Sequence, residues 1–231
     1  MTVAGPEPVR LSIVLPVLDE AAGIASTLDA LAPLCAAGHE TIVVDGGSRD
    51  DTVERVRRAG HRAIVGPRGR ARQMNAGAAL ATGDVLLFLH ADTRLPADAD
   101  ALIARGLHGG ALWGRFDVRI EGRSALLPTI AVLVNLRSRA TGIATGDQAI
   151  FVRRELFQRL GGFADQPLME DIELSRRLRA LGRPACLRPP VYTSGRRWDT
   201  HGAWRTVFLM WRLRWLYWRG VAPEVLARAY R

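Results

Sequence analysis

The chain contains no lysine; all 32 of its basic residues are arginine. That absence removes the phosphate-gripping lysine of a P-loop, the strand lysine of a protein kinase and the Schiff-base lysine of a pyridoxal enzyme. The sequence also lacks G-x-G-x-x-G, H-E-x-x-H and G-x-S-x-G, so dinucleotide-binding, zincin and serine-hydrolase readings have no residues to carry them. Cysteine is scarce. Cys35 and Cys186 alone make neither a disulfide framework nor the paired spacing of a zinc site, and a reducing cytoplasmic setting is the expectation. The opening MTVAGPEPVR has no basic stretch leading into an apolar one, so no signal peptide is expected. No run reaches the roughly 18 apolar residues of a membrane span.

At 231 residues and 48% hydrophobic content the chain suffices for one α/β core, and falls short of two full-sized domains. The net charge of +9 is unevenly placed, because residues 175–231 hold 13 arginines against only two acids. Such a basic C-terminal quarter suits an anionic partner: a diphosphate, a lipid headgroup or a nucleic acid.

Short apolar runs alternate with helical spacing along the first half. LSIVL (11–15), TIVV (41–44), AIV (63–65) and DVLLFL (84–89) read as strands, with helices expected over 21–37, 50–58 and 69–81 between them. Buried strands alternating with helices imply a largely parallel sheet with both faces covered. The second half is less regular: a strand near 111–120, a helix near 125–138, a strand at Gln148–Val152 and a helix over 169–181 are expected.

Ligands of such sheets bind beyond the carboxyl ends of the strands. There the chain carries Pro16-Val17-Leu18-Asp19-Glu20, Asp45-Gly46-Gly47-Ser48, the Arg68 and Arg70 loop, and His90-Ala91-Asp92. Asp45 either accepts from a base N–H, with Gly46 and Gly47 letting backbone approach, or only closes a tight turn ahead of Asp50. Arg68, Arg70 and Arg72, followed by Gln73 and Asn75, either gather anion donors at a helix start or form a solvated basic face. Asp92 ends the fourth strand, where one carboxylate with substrate phosphates can hold Mg²⁺ or Mn²⁺; otherwise it is a turn residue. Glu170, Asp171 and Glu173 open a helix, and either complement its dipole or supply a general base.

Together LSIVLPVLDE, VVDGGSRDDT, FLHADT, GDQAIFVRRELFQRLGGF and MEDIELSRRLRALG, in this order and spacing, resemble the family 2 glycosyltransferases of GT-A fold. More narrowly, the chain is similar to short bacterial members encoded near radical-enzyme and selenium- or arsenic-related genes. The resemblance spans about residues 10–200. It implies a metal-dependent inverting transferase with a mostly parallel α/β sheet, a catalytic domain over 1–200 and an amphipathic tail over 201–231. By the same resemblance Pro16, Leu18, Glu20 and Asp45 hold the nucleoside; Gly46, Arg68, Arg70 and Gln73 are candidate donor contacts by their strand-end and helix-start positions. Asp92 matches the last acid of the metal-binding D-x-D element, and His90 with Ala91 precedes it, histidine replacing the usual first acid. Asp171 matches the base, with Glu170 beside it. Gly146, Asp147 and Gln148 match an acceptor-lining segment, Arg197-Trp198 is similar to an R-W motif, and His201 is a further candidate metal ligand.

The expected donor is a nucleoside-diphosphate sugar, UDP-type first, and the acceptor a small molecule or a lipid. A nucleotidyltransferase is the rival enzyme, yet its glycine-rich signature is missing at the first strand end. A non-catalytic nucleotide-sugar or RNA-binding module is the other rival, and nucleic-acid binding gives no reason for acids at Asp45, Asp92 and Asp171 in one cleft. In the tail, Trp204, Phe208, Trp211, Trp215 and Trp218 fall on one helical face while Leu209, Leu213 and Leu216 fall on another, with Arg205, Arg212 and Arg219 along a border. That pattern fits docking on the cytoplasmic face of an anionic membrane. The alternative is that both faces pack on protein, as core or in a homodimer.

Overall fold

The computed structural model describes residues 9–230. Strands β1 (Leu11–Val17), β2 (Glu40–Asp45), β3 (Ala63–Val65) and β4 (Val85–Phe88) run parallel, joined by helices α1 (Ile24–Ala36), α2 (Thr52–Arg58) and α3 (Arg70–Leu80). Alternate strand residues face opposite layers. Ile13, Leu15 and Val43 therefore pack with Leu28 and Leu31 of α1, while Val14, Val44 and Phe88 pack with Met74 and Ala78 of α3.

The remainder follows as β5 (Thr93–Arg94), α4 (Ala99–His108), β6 (Trp113–Glu121), α5 (Leu127–Thr141), β7 (Phe151–Arg153), α6 (Arg154–Arg159), α7 (Glu170–Leu181), β8 (Ala185–Ser194), α8 (Arg196–His201), α9 (Ala203–Trp218) and α10 (Pro223–Tyr230). Among the described residues the sheet has eight strands in the order β3-β2-β1-β4-β7-β6-β8-β5. Short β7 runs antiparallel to both β4 and β6, so the sheet is parallel through its first half and mixed beyond it. The expected α/β sheet flanked by helices is thus present.

Two expectations change in detail. The strand expected at Gln148–Val152 begins only at Phe151; Gly146–Gln148 form a 3-10 turn, because Gln148 caps Thr145 and Ala149 turns left-handed at φ 47°. Strand β8 was not expected, since Pro189 and Pro190 lack the N–H a sheet needs. Its ladder with β6 jumps from Phe116↔Leu187 to Asp117↔Pro190, which bulges Arg188 and Pro189 out of register.

The tail is bonded into the body. Leu213 of α9 and Leu226 of α10 are buried against Met169, with Leu209, Leu216 and Ile172 around them. The opposite face of α9 is bare: Trp204, Phe208, Trp211, Trp215 and Trp218 are 55–80% exposed. Among the described residues no helix is long and apolar enough to cross a membrane.

Candidate active site

A cleft beyond the carboxyl ends of β1 and β4 is lined by Arg70, His90, Gly146, Glu170 and Asp171 over an apolar floor of Met74, Phe88, Ile150 and Phe163. Four elements converge here: the first turn of α3, the segment after β4, the 3-10 turn before β7 and the first turn of α7. Met169, left-handed at φ 66°, turns the chain into α7, so that two consecutive carboxylates open the helix at the cleft.

Glu170 is 3% exposed, and its Oε1 lies 3.7 Å from Arg70 Nη1. Burial pushes its carboxyl above the ordinary range, and the neighbouring Asp171 charge pushes it further. Burial also raises Asp171, although Gly146 N–H donates to its Oδ2 at 2.8 Å and Ile172 N–H to its Oδ1 at 2.7 Å, which draws it part of the way back. Asp147 goes the other way. Partial loss of solvent opposes its charge, but the hydrogen bond from His90 and the charges of His90, Arg70 and Arg137 outweigh that, and the carboxyl sits below its usual value. His90 Nδ1 and Asp147 Oδ1 are 3.2 Å apart, and the Asp147 side chain remains 60% exposed at the mouth of the cleft. His90 Nε2 is buried without a protein partner and lies so close to Gly146 that a Cβ there would be 2.5 Å away. An alanine at 146 would push the His90 ring aside.

Two further groups border the cleft that the sequence did not single out. Arg137 of α5 is half-buried, with its Nε and Nη2 enclosed and unpartnered; loss of solvent lowers its pKa and Arg115 adds to this, while Asp171 and Asp147 draw it back up. Tyr230 of α10 lies close enough to Arg70, Asp147 and Asp171 to feel their charge, and burial pushes its hydroxyl up. No local signal sets Arg137 apart from Arg139 two residues on. Nothing local marks Tyr230 either.

Other expected positions divide into groups. Arg68 is exposed on the loop before α3, and Pro16 and Leu18 are half-buried at the end of β1. Glu20 pairs with Arg196 at 3.1 Å. Asp45 is 2% exposed, and its carboxylate accepts from Gly47 N–H, Ser48 N–H and the Ser48 hydroxyl. Those bonds close a tight turn after β2. Ala91 is buried, its carbonyl taken by Thr27.

Four positions make other contacts in this structure. Gln73 is buried, and its amide nitrogen donates to Val17 O and Val44 O at 2.8 and 2.9 Å, clamping β1 to β2 rather than reaching a phosphate; its side chain also crowds Gly46. Gln148 is fully buried, capping Thr145 and touching Asn135, so it does not line an acceptor surface. Trp198 packs with Leu127, Ile130 and Ala203 as core. His201 shares a pocket with Arg197, Arg205 and Arg212 and no carboxylate, a cationic setting that opposes a metal ion.

Among the described residues no three His, Cys, Asp or Glu side chains cluster to hold a metal. Asp92 is exposed, with only a 3.5 Å contact from Thr93. One free carboxylate at a strand end fits a hard Mg²⁺ or Mn²⁺ whose remaining ligands are substrate phosphates and water.

The profile described as Glycosyl transferase family 2 matches residues 12–156. A PGL/p-HBAD biosynthesis glycosyltransferase of Mycobacterium tuberculosis is 39% identical over 98 residues, covering 39% of this chain and 38% of that protein. A probable glycosyltransferase, YdaM, of Bacillus subtilis is 28% identical over 94% of this chain and 56% of its own length. The chain thus spans roughly two fifths to just over half the length of these curated relatives. Among solved structures, a mannosyltransferase of Pyrobaculum calidifontis in complex with GDP-Man and Mn²⁺ superposes with TM-score 0.64 at 24% identity, over 96% of this chain and 69% of that one. Glucosyl-3-phosphoglycerate synthase of Mycobacterium tuberculosis, in complex with Mg²⁺ and UDP, gives 0.56 at 25% identity, over 80% and 70%.

Proposed function

Because the chain belongs to glycosyl transferase family 2, we propose that it moves a sugar from a nucleoside diphosphate to an acceptor hydroxyl, by single displacement with inversion. The observation that carries this is the Glu170–Asp171 pair at the start of α7, with Glu170 buried against Arg70 and Asp171 half-buried beside it in the cleft.

An alcohol is a poor nucleophile until a base takes its proton. Asp171 accepts that proton as the acceptor oxygen attacks the anomeric carbon, and its raised pKa makes it a stronger base than an exposed aspartate. Its two backbone hydrogen bonds hold the carboxylate in one orientation. Glu170 is positioned against Arg70 rather than toward solvent. Arg70 and the free N–H groups of the first turn of α3 stabilise the negative charge that grows on the departing diphosphate. Asp92 is the residue that would hold Mg²⁺ or Mn²⁺, whose chemistry when bound is Lewis-acid neutralisation of the same leaving group.

The UDP and GDP-Man of the similar structures support a nucleoside-diphosphate sugar donor, with UDP-sugars the first to test. The acceptor is a small molecule or a lipid met at an anionic membrane surface, and the bare aromatic face of α9 supports the second. A second copy of the chain covering that face is the competing occupant. Purified protein incubated with a panel of nucleotide sugars and Mn²⁺ or Mg²⁺ should hydrolyse one donor slowly, releasing its nucleoside diphosphate. No release from any donor, with or without metal, refutes the transferase reading.

A further inference from the structure

A second pocket, of about 380 Å³, lies between α8, α9 and α10. Its polar lining is mostly arginine: Arg197 from α8 with Arg205 and Arg212 from α9, beside His201, Thr206 and Tyr230. No carboxylate side chain lines it, and among the described residues Arg197, Arg205 and Arg212 form no ion pair. Arg197 is fixed by stacking 3.7 Å from the Tyr230 ring centroid and donating to the Tyr230 carbonyl at 2.7 Å, yet its buried Nε has no protein partner. Several arginines held together without acids repel one another, and an anion relieves that repulsion.

The position of the pocket selects which anion. Phe208 belongs both to the lining and to the exposed aromatic stripe of α9, so the pocket opens at the border of that stripe. At about 100° per residue, Arg205 and Arg212 lie between the aromatic face and the leucine face that packs on the body. Indole rings at headgroup depth place those guanidinium groups level with lipid phosphates. Tyr230 lines the pocket and also borders the cleft of Asp147 and Asp171.

We propose that this pocket seats the phosphate of an anionic membrane lipid, next to the catalytic cleft. The inference deepens the transferase reading by naming where a lipid acceptor is met, and it is tested without any sugar transfer. The probe is co-sedimentation of the full chain with vesicles of phosphatidylcholine alone and of phosphatidylcholine mixed with phosphatidic acid. The wild type should prefer the anionic vesicles, and more so at low salt. A basic residue near such a surface is worth about fivefold in binding, so Arg205→Gln with Arg212→Gln should weaken it by about 25-fold. Both side chains are exposed, so the variant should melt like the wild type.

Two controls distinguish a seated lipid phosphate from diffuse attraction and from donor binding. Removing equal charge at exposed Arg176 and Arg188, outside the pocket, should leave vesicle binding within about twofold; an equal loss there makes the attraction diffuse and overturns the pocket. Calorimetric affinity for UDP or GDP should be unchanged in Arg205→Gln/Arg212→Gln; a parallel loss assigns the pocket to the donor diphosphate and overturns the lipid. A wild type that ignores anionic vesicles at low salt also overturns it, while leaving the donor-hydrolysis test of the transferase untouched.

Discussion

Asp171→Asn isolates the base from its surroundings, because size is kept while basicity is lost. Asp171 accepts two backbone N–H groups, from Gly146 on Oδ2 and from Ile172 on Oδ1. An asparagine offers one oxygen and one NH₂, so one of those donors meets another donor. Leaving one partly buried N–H unpaired costs about 1–3 kcal/mol. For a chain of this size each kcal/mol lowers Tm by about 2–4 °C, so the variant should melt earlier yet stay folded at 25 °C. The catalytic loss is larger. A general base contributes about 10²–10⁴-fold, equivalent to about 3–5 kcal/mol of barrier. The assay is steady-state release of nucleoside diphosphate in the presence of acceptor, with kcat and KM for the donor measured across pH. In the wild type kcat/KM should fall as pH drops through the raised carboxyl range, because the protonated pair cannot accept the acceptor's proton. In Asp171→Asn that acid limb should disappear, kcat should collapse, and donor KM should stay within severalfold. Near-normal turnover, or a retained acid limb at reduced rate, would remove Asp171 from the role.

Asp92→Ala should abolish the difference in UDP affinity with and without Mn²⁺ measured by calorimetry, and a metal dependence equal to the wild type would exclude this carboxylate as the ligand. Glu170→Gln should be more stable than the wild type at neutral pH. The folded-state pKa of Glu170 is raised, so its charged form disfavours folding; the gain should vanish as pH falls below the ordinary carboxyl range and both side chains become neutral. A lower Tm at neutral pH in that variant contradicts the argument. Gly146→Ala places a Cβ 2.5 Å from His90 Nε2, so the imidazole must move and loosen its contact with Asp147. The expected cost is about 1–3 kcal/mol in a thermal melt.

The first half of the fold was legible because its signals are local. LSIVL, TIVV and VLLF are short apolar runs separated by helical spacing, and each became a parallel strand with its expected crossover. Strand β8 was not legible, because Pro189-Pro190 argues against a strand unless a bulge is known to absorb it. The cleft was half legible. Strand ends and helix starts told where Arg70, His90, Glu170 and Asp171 go, since those positions follow from topology. Sequence records that a side chain is polar, but not where it points. Gln73 and Gln148 therefore read as ligand contacts, and their amides instead satisfy buried backbone groups at strand ends and turns. Arg137 and Tyr230 reach the cleft only through the packing of α5 and α10, which no spacing within either helix reports.

The two apolar faces of α9 have different partners, and that division ties the tail to the chemistry. Leu213 and Leu226 bury against Met169, the residue whose left-handed backbone immediately precedes Glu170 and Asp171. Strain at a non-glycine residue with positive φ costs energy and persists only where surrounding packing holds it. The leucine face supplies part of that packing, so the tail helps fix the direction in which α7 presents its carboxylates. The aromatic face contributes nothing to that packing and remains exposed. One helix thus packs on the turn that precedes Glu170 with one side and offers an apolar surface with the other. Whatever engages the exposed side meets an element that also packs on Met169, one residue before the Glu170–Asp171 pair.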